Sequence, residues 1–131
     1  MINVKNLQIG DWVEVFFTSD EPKHCGYKNC QVQSLNFFGD VIVEGEQVTE
    51  SQLNPIPLTE ELLEKCGFRK MDGFVGVFYR YSEDLCVKPY SDGDFLFSFS
   101  HRSEDINVYV KHVHDFQQLL RKCNVNIDVE L

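Results

Sequence analysis

The chain has 131 residues, 43% of them hydrophobic, and its 12 Lys and Arg against 21 Asp and Glu give a net charge of −9. That length is enough for one domain, or for two small lobes with a shared core, and the composition excludes an intrinsically disordered chain. The sequence contains 15 valine and 11 phenylalanine residues but no alanine, which favours sheet over helix.

The acidic charge restricts the partners that we expect. Proteins gain affinity for nucleic acids and for anionic membranes through basic side chains, so a surplus of carboxylates disfavours both kinds of partner. No apolar run approaches the roughly 18 residues that span a bilayer. Residues 1–6 lack the apolar segment of a secretory signal, so we expect a cytoplasmic protein.

Residues 1–58 are expected to form a lobe of short strands joined by turns. In the first strand, Trp12 and Phe16 alternate with Val13, Val15 and Phe17, as the two faces of a strand require. The extended segments predicted here are Trp12–Phe17, Cys30–Phe37, Val41–Glu44, the surroundings of Val48 and Leu53–Leu58, with a polar loop at Thr18–Gly26. Short strands with tight turns and one long loop are typical of a small barrel.

Residues 59–131 combine helices and strands. A short helix is predicted from the N-cap Thr59 to Cys66, and a longer one from Tyr109 to Cys123. The strands predicted in this half are Phe74–Tyr81, Leu85–Tyr90, Phe95–Ser100 and a possible edge strand at Asn126–Leu131. We expect the Val113, Phe116 and Leu120 stripe of the second helix to pack on Phe78, Phe95, Phe97 and Phe99.

These patterns predict an α+β protein. A small SH3-like β-barrel lobe in residues 1–58 is followed, in residues 59–131, by a short helix, an antiparallel sheet and a C-terminal helix packed on it. The two helices are expected to be the only ones longer than one turn.

Five cysteines without a signal peptide indicate reduced thiols rather than disulfides. His24, Cys25 and Cys30 are the one grouping that suggests a metal, but a structural zinc site requires four ligands and no second close pair is present. Cys66 and Cys123 lie where helices end, and the helix dipole there opposes a reactive thiolate. We therefore expect no metal site, no cofactor and no cysteine nucleophile.

The segment His112-Val113-His114-Asp115 contains the residue types of a hydrolase metal centre. Residues two apart on a helix point away from each other, so the predicted helix separates the two imidazoles. On that basis His112 is expected to be a packed side chain and His114 a solvated one. On a strand the same pair would face one way and could bind a metal.

The aromatic residues of the first lobe suggest a different role. Most of them must form its core, but Phe16-Phe17 and Phe37-Phe38 are adjacent pairs, and neighbours in a strand point to opposite faces. At least one member of each pair could therefore be exposed to a partner protein. The candidate protein-binding residues are Trp12, Phe16, Phe17, Phe37 and Phe38.

Three segments resemble those of small uncharacterised proteins from Bacteroides-type gut bacteria and their phages and mobile elements. The segments are Ile9–Val13, the run Asn54–Phe68, and Tyr109–Leu119, which is similar to a Tyr-Val-His-x-Leu-Gln-Asn-Leu segment. The last departs from that pattern by an insertion or register shift at Lys111-His112, and by Phe116 and Gln118 in place of Leu and Asn. The resemblance implies a stand-alone domain and carries no activity, ligand or site.

Three functional hypotheses follow. The first is a small accessory protein, not an enzyme, that binds an unidentified protein through the first lobe or through a sheet edge. The second is an acidic inhibitor that mimics nucleic acid in the binding site of an enzyme. The third is a small hydrolase that uses His112, His114 and Asp115, which must then converge in space. The oligomeric state is left open.

Overall fold

A computed structural model describes residues 2–17, 26–36, 40–74 and 76–131. The contacts between Cα atoms divide the chain into two compact units, Met1–Ile56 and Pro57–Leu131, which we call the N-terminal and the C-terminal unit. Helices and strands are both present, as the α+β prediction requires. No helix of the described residues is long and apolar enough to cross a membrane.

The described residues of the N-terminal unit form six short strands. They are β1 (Trp12–Phe17), β2 (Gly26–Gln31), β3 (Ser34–Leu35), β4 (Val41–Val43), β5 (Glu46–Val48) and β6 (Leu53–Asn54). They form two three-stranded sheets, with the orders β2-β1-β6 and β3-β4-β5. No closed barrel is formed by the described strands, so the SH3-like barrel stays a prediction.

The core of the N-terminal unit is aliphatic. Val13 and Val15 of β1 are fully buried against valines from β4 and β5, and Asp11 is buried at the start of β1, where its carboxylate accepts a hydrogen bond from the Gln8 backbone at 2.8 Å. The β4–β5 hairpin turns through Glu44 and Gly45, both with positive φ, as a two-residue hairpin turn favours. A short 3₁₀ turn precedes β6 at Glu50–Gln52.

The C-terminal unit contains one antiparallel sheet and two helices. The elements are α1 (Glu60–Lys65), β7 (Arg69–Gly73), β8 (Gly76–Arg80), β9 (Leu85–Pro89), β10 (Phe95–His101), β11 (Glu104–Val110) and α2 (Val113–Lys122). The five strands follow one another as neighbours, in the order β11-β10-β9-β8-β7. Local chemistry sets the bounds of α1, because Thr59 Oγ1 accepts a hydrogen bond from Leu62 N at 3.2 Å and Gly67 adopts φ +97° after the last turn.

Helix α2 packs on the sheet through the predicted stripe. Val113, Phe116 and Leu120 are buried, and the Phe116 ring lies 6.1 Å from the ring of Phe97 on β10 and 5.8 Å from that of Phe68. The prediction that this helix covers the aromatic strands is confirmed for Phe97. It is wrong for Phe78, which lies on the opposite face of the sheet, while its neighbour Tyr79 is buried in its place.

The secondary structure of the C-terminal unit differs from the prediction in three places. Helix α2 begins at Val113 rather than Tyr109, because Tyr109 and Val110 continue β11 and pair with Leu96 and Phe95. Tyr109 fits the spacing of the helical stripe, but Ile106, Val108 and Val110 alternate with the period of two that is typical of a strand. Strand β7 was not predicted because none of its residues is buried, and Asn126–Leu131 forms no strand.

The second predicted strand is also divided differently. Cys30–Phe37 was expected to be one strand, but β2 begins earlier, at Gly26, and ends at Gln31, and β3 contains only Ser34 and Leu35. Val32 and Gln33 separate the two strands, near the point where the alternation of the sequence slips. The predicted loop Thr18–Gly26 lies outside the described residues except for Gly26.

Candidate functional site: the open face of the C-terminal sheet

Strand register assigns each residue of the C-terminal sheet to one of two faces. Residues directly opposite in an antiparallel pair share a face, and successive residues in a strand alternate. The face with Phe97 contains the buried side chains Tyr79, Leu85, Val87, Phe95 and Val110. We call this the inner face, since α2 packs on it.

The other face has no buried residue, and we call it the open face. In order across the strands, its members are Arg69, Met71, Phe78, Arg80, Cys86, Lys88, Leu96, Ser98, Ser100, Asp105, Asn107 and Tyr109. Aromatic and basic side chains are interleaved on it, although the whole chain is acidic. Asp105 is its one carboxylate among these strand residues, and it accepts a hydrogen bond from Ser100.

One end of the open face has two exposed tyrosines in contact. Tyr109 on β11 is 61% exposed and Tyr90, directly after β9, is 45% exposed. Their rings meet edge to face with centroids 5.4 Å apart, and Lys88 Nζ lies 5.6 Å from the centroid of Tyr90. The edge-to-face arrangement is one of the preferred geometries of an aromatic pair, so the contact favours this orientation of the two rings in the free protein.

The other end of the open face carries two arginines. Arg69 on β7 and Arg80 on β8 are directly opposite in register, and both are exposed. The guanidinium carbon of Arg80 lies 6.0 Å from the centroid of Phe78, which is opposite Met71. Among the described residues, no carboxylate forms an ion pair with either arginine.

The aromatic candidates of the N-terminal unit occupy two different positions. Trp12 and Phe16 share the half-buried side of β1 with Tyr27 of β2, which is 66% exposed and lies 4.9 Å from Phe16 between ring centroids. Phe17 instead packs against the aliphatic core, on the other side of the strand. Phe37 and Phe38 lie outside the described residues.

The structure brings His112, His114 and Asp115 together where β11 meets α2. His112 is the N-cap, with extended backbone, so the helical argument that separated the two imidazoles is wrong. Their rings stack with centroids 5.8 Å apart and planes 5° apart. His112 Nδ1 lies 3.6 Å and His114 Nε2 3.5 Å from the Asp115 carboxylate. The convergence that the hydrolase hypothesis requires is therefore present.

The environment of these three groups favours a structural role. His114 is only 6% exposed, so the prediction of a solvated His114 is wrong, because the first helical turn directs it inwards. Both imidazoles approach the carboxylate of Asp115, which therefore takes the position between them. Within residues 2–17, 26–36, 40–74 and 76–131, no group of three or more His, Cys, Asp or Glu side chains could hold a metal ion.

Three of the cysteine thiols are shifted towards their neutral form. Burial raises the pKa of the Cys30, Cys66 and Cys123 thiols above its ordinary value, and Cys66 and Cys123 are the C-cap residues of α1 and α2, as predicted. A thiol with a raised pKa is a poorer nucleophile at neutral pH. His24 and Cys25, the remaining members of the suggested metal grouping, lie outside the described residues.

The open face was not identified from sequence. The sequence places Arg69 and Met71, and likewise Phe78 and Arg80, two residues apart, which puts each pair on one face of a strand. This pattern can be recognised only once β7 and β8 are known to pair. No protein-family model, curated protein or solved structure matches the chain, so no residue role is transferred from another protein.

Proposed function

We propose that the protein is a non-enzymatic protein-binding module and that the open face of the C-terminal sheet is its docking surface. One observation carries the proposal. The sheet buries large apolar side chains on its inner face only, yet its open face exposes Tyr90, Tyr109 and Met71 beside half-buried Phe78 and Leu96. Solvent-facing sheet surfaces are usually polar, and exposed apolar surface that stability does not require is typical of an interface.

The composition of the open face supports this assignment. Tyrosine, methionine and arginine are enriched in protein–protein interfaces, and tyrosine and arginine often contribute most of the binding energy. A tyrosine loses little side-chain entropy on binding, and the contact between Tyr90 and Tyr109 lowers that loss further. Tyr109 lies on a strand that is hydrogen-bonded to β10, and Tyr90 directly follows β9, so both positions are fixed by the sheet backbone.

A second surface remains a proposal for the same function. Trp12, Phe16 and Tyr27 form a smaller aromatic patch on β1 and β2 of the N-terminal unit. Trp12 and Phe16 are among the candidates predicted from the sequence, and Tyr27 is added by the structure. We rank it below the open face because Trp12 and Phe16 are half-buried and therefore have less free surface to offer.

A quantitative capture experiment tests the proposal and separates the two surfaces. Immobilised wild-type protein is incubated with an extract of the source cells, and the retained proteins are quantified against Tyr90→Ala/Tyr109→Ala and Tyr27→Ala proteins. We expect one retained protein to be lost from the double variant and kept by Tyr27→Ala. Loss from Tyr27→Ala alone would move the docking surface to the N-terminal unit. Equal retention by all three proteins would refute both surfaces.

A further inference from the structure

We propose that Arg69 and Arg80 form an anion-binding pair that receives carboxylates from an acidic segment of a partner protein. This inference rests on the proposed function and names the chemistry of the partner. It begins from an arrangement that the fold does not need. Two like charges directly opposite on neighbouring antiparallel strands repel each other and destabilise the sheet.

In the part of the chain that the structure describes, no carboxylate pairs with either arginine to relieve that repulsion. Opposite residues in an antiparallel pair have Cβ atoms about 4.5–5.5 Å apart, so the two guanidinium groups are able to reach a common anion. The carboxylate on this face, Asp105, belongs to β11, three strands from β8. At about 4.8 Å per strand it lies roughly 14 Å or more from Arg80, which exceeds the screening length of about 8 Å at physiological salt.

The acidic groups of α1 do not reach the arginine pair either. Tyr79 on the inner face donates a hydrogen bond to Glu60 at 3.0 Å, which places the acidic first turn of α1 on the inner side of the sheet. Carboxylates of α1 thus lie near inner-face Tyr79, whereas Arg69, Arg80 and Lys88 lie on the open face. Although the chain has a net charge of −9, this arrangement leaves a cationic surface to which an acidic ligand can bind.

The chemistry of the pair favours an oxyanion flanked by apolar groups. A guanidinium presents a planar fork of donors that matches a carboxylate, and such bonds are stronger than those between neutral groups. Phe78 and Met71 are the neighbouring residues on the same face and add apolar surface beside the arginines. An extended segment that alternates acidic and aromatic side chains would thus place both kinds of group on matching positions of the open face.

A protein segment fits these observations better than a nucleic acid or a second copy of the chain. Nucleic acid would meet three cations on a protein with a large surplus of carboxylates, and its affinity depends on neutralising a row of phosphates. A second copy would dock its acidic α1 on the arginine pair of the first. That contact joins two different surfaces, and unless its rotation closes a ring it produces open filaments rather than a closed oligomer.

A peptide titration tests the inference. Backbone amide shifts of the full chain are followed by NMR during addition of a short peptide that alternates glutamate and tyrosine. The same peptide with lysine in place of glutamate and an oligothymidylate are titrated in parallel. We expect the acidic peptide to shift the amides of β7 and β8 and the lysine peptide to leave them unchanged. Absence of such shifts with the acidic peptide would overturn the inference, as would equal or tighter binding of oligothymidylate.

Charge reversals provide the matched comparison. Arg69→Glu and Arg80→Glu should each weaken binding of the acidic peptide by about tenfold or more, the usual loss for a hydrogen bond between charged groups. Lys70→Glu is the control, because it makes the same change of charge on the adjacent residue of β7, on the opposite face. Equal losses from Arg69→Glu and Lys70→Glu would show a net-charge effect and overturn the arginine site.

Two further readouts keep the inference separate from folding and from the proposed function. Arg69→Glu places opposite charges across from each other, so its Tm should not fall below that of the wild type. Loss of binding together with a lower Tm would assign Arg69 to the fold and overturn its role as a site. If partner capture requires Tyr90 and Tyr109 but is unchanged in Arg69→Glu and Arg80→Glu, the proposed function stands and this inference fails.

Discussion

The five strands β7–β11 carry two faces that differ in what their side chains do. On the inner face Phe97 is fully buried beneath Phe116 of α2, and Tyr79, Val87 and Phe95 extend the same core. On the open face the same strands expose tyrosines, a methionine and arginines and bury nothing. Because both faces share one backbone, their difference cannot come from strand geometry. The inner face is expected to determine stability and the open face to determine recognition.

The largest expected effect is the loss of an inner-face contact. Phe116→Ala should reduce the free energy of unfolding by about 3–5 kcal/mol, because the ring is fully buried against Phe97 and Phe68. Tyr109→Ala removes a comparable ring from the open face and should cost no more than about 1 kcal/mol. Chemical denaturation of the two proteins measures the contrast, and similar losses would contradict the assignment of the two faces.

His114→Ala should have the next largest effect, about 1–3 kcal/mol. The imidazole is buried, stacks on His112 and approaches the Asp115 carboxylate, so its removal leaves a gap where β11 meets α2. His112→Ala is the matched control, since that side chain is about one-third exposed and its loss should cost less. Urea denaturation distinguishes the two variants. A silent His114→Ala substitution would return the residue to the solvated position that the sequence suggested.

Alkaline titration tests the inner face through Tyr79. Burial, with the hydrogen bond to Glu60, raises the pKa of Tyr79 from the ordinary tyrosine value of 10.0 to about 12. The unfolded chain loses this proton at lower pH than the folded one, so the contribution of Tyr79 to stability is complete below pH 10 and is lost as the pH rises to about 12.

The readout is the difference between wild type and Tyr79→Phe, because other groups titrate in the same window. Wild-type stability, measured by urea denaturation at successive pH values, should fall more steeply between pH 10 and 12 than that of Tyr79→Phe. Parallel pH profiles would show that Tyr79 is not protected in the folded state.

The smallest stability effect is expected on the open face, and it has the opposite sign. Arg69→Glu replaces a like-charge pair by an opposite-charge pair across β7 and β8 and should stabilise the protein by up to about 1 kcal/mol. The gain should shrink when salt is added, because both groups are exposed. Denaturation at low and high salt measures it. Destabilisation at low salt would mean that Arg69 makes a favourable contact in the fold.

The sequence predicts the inner face well and the open face poorly. The Val113, Phe116 and Leu120 stripe and the alternation of Phe95 and Phe97 depend on burial, which leaves a periodic pattern in the sequence. The caps of α1 follow from the residue types Thr59 and Gly67. Strand β7 is exposed throughout and leaves no such pattern. Phe78 was assigned to the core because it is apolar, although the pairing of β8 with β7 and β9 turns Tyr79 inwards instead.

The predicted arrangement of His112 and His114 is wrong for a related reason. His112 and His114 were separated by assuming that one helix contains both, whereas the chain changes from strand to helix between them. The turn through Arg102, with φ +58°, carries none of the glycine or asparagine that usually marks a hairpin, so β11 is not predicted and its last two residues, Tyr109 and Val110, are assigned to the helix. Without β11, the contact between Tyr90 and Tyr109 could not be anticipated.

Site-specific photo-crosslinking is the most direct test of the division between the two faces. A photoreactive residue is placed either at Tyr109 or at its neighbour Val108, which is also exposed but points to the inner side of β11. Both proteins are irradiated in an extract of the source cells. We predict a discrete crosslinked partner from position 109 and none from position 108. The same crosslinked species from both positions, or from 108 alone, would contradict the claim that the open face is the recognition surface.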